Sequence, residues 1–284
     1  MWGEVLAIMS AVTWASSTVL SAEALKKVDP IRSNAVKSFL SAVLMLPIAF
    51  AAGEMSNLSE VSIQAVLLVI AAAVIGFGIG DTLLFRSIMI VGVSRAYTIT
   101  YTYPLLTMVV AVVLLGEPFH LTTLIGTALM VLSVISLLSE KQDDHGKSGS
   151  RGLVMAFGTA ITWAIGILLV TLGLREMTVL QANAIRYPVL SLFLLALSKP
   201  TRKWDLDRKS WLLLFGTGAL GMVVGGVIFL LSVNLIGASR ATPLSASSPV
   251  WASMMSSLFL KEKVTPRLLI SSALVVAGTY FIAV

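Results

Sequence analysis

The chain has 284 residues, of which 57% are hydrophobic and only 12% charged, with a net charge of +6 and no cysteine. A water-soluble domain runs at roughly 45–50% apolar and 25% charged residues, so this composition excludes an ordinary soluble core and points to a bilayer. The absence of cysteine excludes disulfides, a thiol nucleophile and thiolate metal sites, and His120 and His145 are too few and too far apart for a metal cluster.

Apolar segments of about 20 residues, enough to cross a roughly 30 Å hydrocarbon core, are predicted at about 3–22, 33–52, 62–85, 93–115 and 120–139. After a polar link, 140–151 (EKQDDHGKSGSR), they resume at about 152–172, 180–198, 210–234, 240–260 and 265–284, with a second solvated stretch at 199–210. The first carries Glu4 as its only charge before Glu23, which is not the basic start of a cleaved signal peptide, so a retained membrane helix is predicted there. Trp14 lies about halfway along it, too deep for an interfacial aromatic belt. Such an indole suits a cavity wall, offering its N–H to a solute and its face to a cation, or else simply packs against small neighbours.

The second segment holds Asn34 and, about one turn further in, Lys37; the third reads GFGIGDTLLFR and carries Asp81 and Arg86. A charge at bilayer depth is rare and marks a site by default. Asp81 is a carboxylate for a proton or an amine, and Arg86 a guanidinium for a carboxylate or phosphate. Five residues apart, they point about 140° from each other on an ideal helix, so pairing through neighbouring helices is predicted. The alternative is that both snorkel to the interface.

The fourth segment opens on GVSRA with Arg95, continues as YTITYTYP through Tyr97 and Tyr101 to Pro104, and ends near Glu117. Pro104 frees a carbonyl one turn earlier, which lipid tolerates only where the backbone is buried in protein or lines a wet cavity. The hydroxyls beside it are candidates for solute contacts, or they bond back to their own helix.

The remaining segments repeat the first five. GASRA with Arg240 opens the ninth, followed by Ser248, Pro249, Trp251 and Glu262; Arg95, Pro104 and Glu117 map onto Arg240, Pro249 and Glu262 at a constant offset of 145. At an offset of 149, residues 3–37 match 152–186 at eleven of 35 positions, pairing Trp14 with Trp163, Asn34 with Asn183 and Lys37 with Arg186. Lys37 and Arg186 read equally as site cations or as a shared brace. The repeated Arg95, Arg240, Glu117 and Glu262 read as loop-fixing or gating ion pairs. Asp81 and Arg86 face Gly226 and Leu231 in the other copy, so whatever they do is done by one half alone. The glycines around them, Gly76 to Gly80 and Gly216 to Gly226, permit close crossings and bending.

The predicted fold is an all-α integral membrane protein of ten transmembrane helices in two five-helix repeats, 1–139 and 152–284. Five is odd, so the second copy must enter from the opposite side and the repeats are inverted. That arrangement typifies alternating-access carriers with a midplane site. Seventeen of the 20 Lys and Arg fall on the side of the odd-numbered loops, and only Arg175, Arg186 and Arg240 on the other. The positive-inside rule places the odd loops, 1–2, 5–6, 7–8 and 9–10 above all, in the cytoplasm and both termini outside. This basicity sits in short loops rather than along one face, and so predicts no nucleic-acid partner.

The Trp-bearing first segment, the G-x-S-R-A entry, the mid-segment Pro and the following Glu, all present twice, resemble the drug/metabolite transporter superfamily, specifically its EamA-type members. The resemblance covers essentially the whole chain. It implies ten helices, a gradient-linked carrier or exchanger of small metabolites, and a central cavity lined mainly by helices 1, 3, 4, 6, 8 and 9. It also implies cytoplasmic termini, opposite to the charge count.

The expected function is therefore a secondary transporter in the cell membrane, moving an amino acid or related amphipathic solute by efflux or exchange. Trp14, Lys37, Asp81, Arg86, Tyr97, Tyr101, Trp163, Arg186, Ser248 and Trp251 are its candidate contacts, and Asp81 its candidate proton carrier. No cofactor is expected, and no nucleotide-binding Gly-rich loop is present. The partners expected are the solute and the bilayer, and the sequence admits a homodimer. A flippase of a lipid-linked substrate is the alternative. An integral-membrane enzyme is less supported, for want of clustered acids or an intramembrane His or Cys.

Overall fold

The computed structural model describes residues 1–25, 28–91, 93–138, 150–198, 206–259 and 265–284. Among the described residues the chain is all-helical, with no strand, and nine stretches are long and apolar enough to cross a membrane. Side chains set the helix starts. Helix α1 (Trp2–Leu25) is followed by α2 (Pro30–Ala51), where the Asp29 carboxylate accepts from the N–H groups of Ile31 and Arg32 and Pro30 opens the first turn. Gly53, at φ 74°, turns the chain into a short 3₁₀ segment, Glu54–Glu60.

Ser62 caps α3 (Ile63–Ala72), which continues through a π-helical segment, Ala73–Gly80, into α4 (Asp81–Val91). Together they form a stretch of 29 residues, so the third segment runs past the predicted end at 85. Helices α5 (Val93–Thr100) and α6 (Tyr103–Leu115) follow, then α7 (Leu121–Leu138). In the second half, α8 (Ser150–Gly173) starts two residues before the predicted boundary. It is followed by α9 (Val179–Leu197), which opens on a Thr178–Gln181 capping box. Next come α10 (Arg208–Thr217), a second π-helical segment (Gly218–Gly225), α11 (Gly226–Ile236), α12 (Ala238–Ser245), α13 (Ser248–Phe259) and α14 (Pro266–Ala283).

The predicted ninth span, 240–260, is divided into α12 and α13, as the fourth is into α5 and α6, and it is not among the nine candidate spans of the described residues. Pro249 stands in the first turn of α13, as Pro104 does in α6, and neither can supply the N–H that would continue the preceding helix.

The irregularities fall in register. Residues 73–80 and 218–225 are equivalent at the offset of 145, and so are the turns 101–102 and 246–247. A π segment widens the helix locally and recurs at functional sites. Here each one accommodates an indole from another helix: a Cβ at Gly80 would stand 2.8 Å from Trp163 Cδ1, and one at Gly225 2.8 Å from Trp14 Cδ1.

The helices pair antiparallel. Along α1 and the α10–α11 stretch, Ser17 Oγ donates to Thr217 O (3.1 Å), Trp14 Nε1 to Gly221 O (2.9 Å), and Ser232 Oγ to Gly3 O (2.8 Å). One number rises as the other falls. Helix α8 meets the α3–α4 stretch in the same way: Gly166 lies against Gly76, Thr159 Oγ1 donates to Gly80 O (3.2 Å), and Ser87 Oγ to Gly152 O (2.8 Å). Between α7 and α14, Ser133 and Ser271 each donate to the other's carbonyl at 2.8 and 2.9 Å, and Gly126 faces Gly278.

At the Gly166 crossing, backbone meets backbone, and a Cβ there would lie 2.8 Å from Gly76 Cα and 3.3 Å from Ala72 O. Gly166→Ala is therefore expected to destabilise by about 1–3 kcal/mol, the range for overpacking. Gly158→Ala on the same helix, whose Cβ would meet only Leu83 Cδ1 at 3.3 Å, should cost far less. Thermal unfolding of the two variants in detergent checks this, and equal midpoints would refute it.

Candidate functional site

Asp81 is the first residue of α4, directly after the π segment, and its carboxylate gathers two other helices around it. Trp163 Nε1 of α8 donates to Oδ1 at 3.1 Å, and Asn34 Nδ2 of α2 donates to Oδ2 at 3.2 Å. Lys37 sits three residues beyond Asn34 on the same face of α2, and its ammonium is the opposite charge that Asp81 feels. Tyr97 also lies within electrostatic reach of the carboxylate. Asp81, Lys37, Tyr97, Tyr101 and Trp163 are all half-buried. A carboxylate has about four lone-pair positions, so two neutral donors leave it able to accept more.

Aromatic rings wall this group. Tyr97 and Tyr101 are 5.7 Å apart between centroids, Tyr101 and Tyr103 6.2 Å, and Tyr103 meets Trp163 edge-on at 5.3 Å. The Tyr101 hydroxyl lies 3.5 Å from Ser248 Oγ, joining the α5–α6 turn to the start of α13. A carboxylate beside a cluster of aromatic rings is chemically suited to an ammonium, which the charge attracts and the ring quadrupoles can also attract.

The equivalent place in the other half has no acid. Trp14 donates instead to the backbone carbonyl of Gly221 and packs on Phe229 at 5.2 Å. Gly226 stands where Asp81 would be, with the Tyr187 hydroxyl next to it, donating to Met222 O at 2.5 Å. Arg186, equivalent to Lys37, donates from Nη1 to Asn183 Oδ1 at 3.1 Å and lies over the Phe77 ring at 5.1 Å.

Of the sequence-predicted residues, the structure brings Trp163, Lys37, Asp81, Tyr97, Tyr101 and Ser248 together. It does not bring Arg86, which is exposed. Asn34 and Trp163, from two neighbouring helices, bond Asp81, while Arg86 stands exposed on the same helix. Trp14 gives its N–H to protein, and Trp251 donates to Ser247 Oγ (3.1 Å) within its own helix start.

Of the repeated Arg and Glu residues, Glu117 and Arg240 hold different partners. Glu117 accepts from the N–H groups of Ala238 (2.7 Å) and Ser239 (2.9 Å) at the start of α12. Arg240 reaches Glu4 Oε1 (3.0 Å) and the Ile282 carbonyl. Arg95 is half-buried in α5, and Glu262 lies outside the described residues. The sequence reading passed over Asn34, Tyr103, Tyr187 and Glu4 as site residues. Repeat identity pointed to Asn34 and a lone intramembrane charge to Glu4. Nothing local distinguished Tyr103 or Tyr187.

A family model described as the EamA-like transporter family matches residues 1–139 and 150–284. An uncharacterized transporter of Archaeoglobus fulgidus is 24% identical over 263 residues, covering 93% of this chain and 91% of that protein. The uncharacterized transporter YoaV of Bacillus subtilis is 20% identical over 272 residues, covering 94% and 91%. Protein LicB of Haemophilus influenzae is 31% identical over 139 residues, 47% of each chain. A solved crystal structure superposes with a TM-score of 0.80 at 15% identity, covering 98% of this chain and 95% of its own, a likeness of fold alone.

Proposed function

Because the chain belongs to the EamA-like transporter family of the drug/metabolite transporter superfamily, we propose that it carries a small amine-bearing metabolite across the cell membrane by alternating access around Asp81. The solute is an amino acid or a related amphipathic amine. The single observation that carries this reading is the Asp81 carboxylate, held by Trp163 and Asn34 within an apolar 29-residue stretch beside a cluster of tyrosines. Asp81 takes the ammonium, Tyr97, Tyr101 and Trp163 take the apolar body, and Lys37 offers a counter-charge to a solute carboxylate.

Residues 1–139 and 152–284 act as inverted five-helix halves joined by 140–151. The antiparallel pairing of α7 with α14 supports this, because they are equivalent at the offset of 145 and equivalent helices of inverted copies must run in opposite directions. The first helix of each half likewise runs antiparallel to the third stretch of the other, α1 to α10–α11 and α8 to α3–α4. The basic odd-numbered loops face the cytoplasm. The driving force is an ion gradient or exchange, with Asp81 as the proton-carrying group.

A thermal-shift screen of the purified carrier against metabolites, followed by counterflow in proteoliposomes, tests the reading. Amine-bearing solutes should raise the unfolding midpoint, because a ligand that binds only the folded state stabilises it by mass action. Trp163→Phe, which removes one donor from the carboxylate, should weaken binding about tenfold, the effect of one hydrogen bond to a charged group. If another class of solute stabilises the protein and drives counterflow while amines do neither, the proposal is wrong.

A further inference from the structure

Arg186 is 6% exposed and Asn183 fully buried. One guanidinium nitrogen, Nη1, is used on Asn183 Oδ1, which orients both groups. Arg186 Nε and Asn183 Nδ2 then remain buried with no hydrogen-bond partner. Both are donors, and neither can accept. A guanidinium keeps its proton in proteins, so this charge is not relieved by neutralisation. Phe77 covers it at 5.1 Å with a ring face, which is no substitute for an anion.

Comparison of the halves shows what is missing. In the first half, Asn34 and Lys37 share an acid, since Asn34 donates to Asp81 and Lys37 faces it. In the second, Asn183 and Arg186 repeat the amide and the cation, but the acid's position is Gly226. The neighbouring Tyr187 hydroxyl is spent on Met222 O and brings no negative charge. Among the described residues no carboxylate is within ion-pair distance of Arg186. Buried donors without acceptors call for a bound partner, and a fixed buried cation calls for an anionic one.

We propose that Arg186 and Asn183 form a binding site for one small monovalent anion, which supplies the counter-charge that Asp81 supplies in the other half. The chemistry suits a halide or the carboxylate of a carried solute. The site joins the halves, since Arg186 belongs to the second and Phe77 to the first. Phe77 lies four residues before Asp81 on the same stretch, so filling the site bears on the geometry of the solute site. The inference rests on the unpartnered donors and stands independently of what is transported.

The test measures thermal unfolding of the purified full chain in detergent at constant ionic strength, with gluconate replaced stepwise by chloride or by formate. A saturable rise in midpoint with chloride alone assigns an inorganic anion. A rise with formate that competes with chloride assigns the site to carboxylates. Either response should be lost in Arg186→Gln and in Asn183→Ala, and kept in Arg86→Gln, which removes an exposed positive charge. Should Arg186→Gln fail to fold, Asn183→Ala decides alone. Identical midpoints in all three anions, or a response that survives in Asn183→Ala, overturns the proposal.

Discussion

Asp81→Asn is expected to weaken solute binding by roughly one to two orders of magnitude and to abolish proton-driven flux while leaving the helices assembled. The substitution is nearly isosteric, and the amide oxygen can still accept from Trp163 Nε1. Its NH₂, however, would face the Asn34 amide NH₂, two donors where there had been a donor and an acceptor. The loss of charge matters more. A hydrogen bond to an ionised group contributes roughly 1.5–3 kcal/mol, so removing the carboxylate should weaken an ammonium-bearing solute about 10- to 100-fold.

It also leaves Lys37 without the charge it faces, which costs stability. The double variant Asp81→Asn/Lys37→Gln restores neutrality, so it should regain stability without regaining binding. That difference separates a solute-binding acid from a merely structural one. The direction with pH follows from the charge. Protonating the carboxylate removes the attraction for an ammonium, so wild-type affinity should fall as pH is lowered through its titration, and the Asn variant should be flat. Wild-type pH-driven flux persisting in Asp81→Asn proteoliposomes would remove Asp81 from the mechanism.

The second large effect is expected at Glu117. Its two carboxylate oxygens cap the first two N–H groups of α12, which belong to the set of donors that a helix start leaves unpaired and which carry its partial positive charge. Glu117 follows the first half's α6, whereas α12 belongs to the second half, so this cap ties the halves together on the side of Gly116 and Gly237. Gly237, at φ 79°, brings the backbone close enough to the carboxylate that a Cβ there would stand 2.6 Å from Oε2. The Arg240 contacts to Glu4 and Ile282 hold the same end.

At roughly 1.5 kcal/mol for each charge-assisted bond, Glu117→Ala should shift the balance between closed and open on that side by about two orders of magnitude. Glu117→Gln keeps one acceptor and should fall between. The chain contains no cysteine, so Ser248→Cys gives a single thiol at the solute site, to be probed with a membrane-impermeant maleimide from either face. Labelling through the Glu117 face should rise steeply in Glu117→Ala. Unchanged labelling from that face would show that the cap is a local brace and no gate.

Much of this molecule was legible before any coordinates, and the places where it was not are instructive. Asp81 was marked by being a charge in an apolar stretch present in one copy only. Arg86 carried the same mark and lies on an exposed face of α4, because the placement of a charge along the sequence does not say which helix face it occupies. The Arg–Glu repeat reads as loop-fixing or gating ion pairs; Arg240 pairs with Glu4, whereas Glu117 takes backbone N–H groups. A helix start is as good a partner for a carboxylate as an arginine, and it leaves no charge in the sequence. The π segments announced themselves only as glycines, and the indoles that require those glycines lie on helices far along the chain.

By itself the sequence determined that the chain lives in a membrane, that it is duplicated, and that Asp81 breaks the duplication. Apolar run length, repeat spacing and the placement of a rare charge are properties of one dimension. Only the tertiary structure decided what surrounds Asp81. Its partners Asn34 and Trp163 stand 47 and 82 residues away, and its aromatic wall is closed from α13 by Ser248. Which polar groups converge at one point depends on the crossing of antiparallel helices, and those crossings are set by close-packed glycines whose neighbours no local pattern can name.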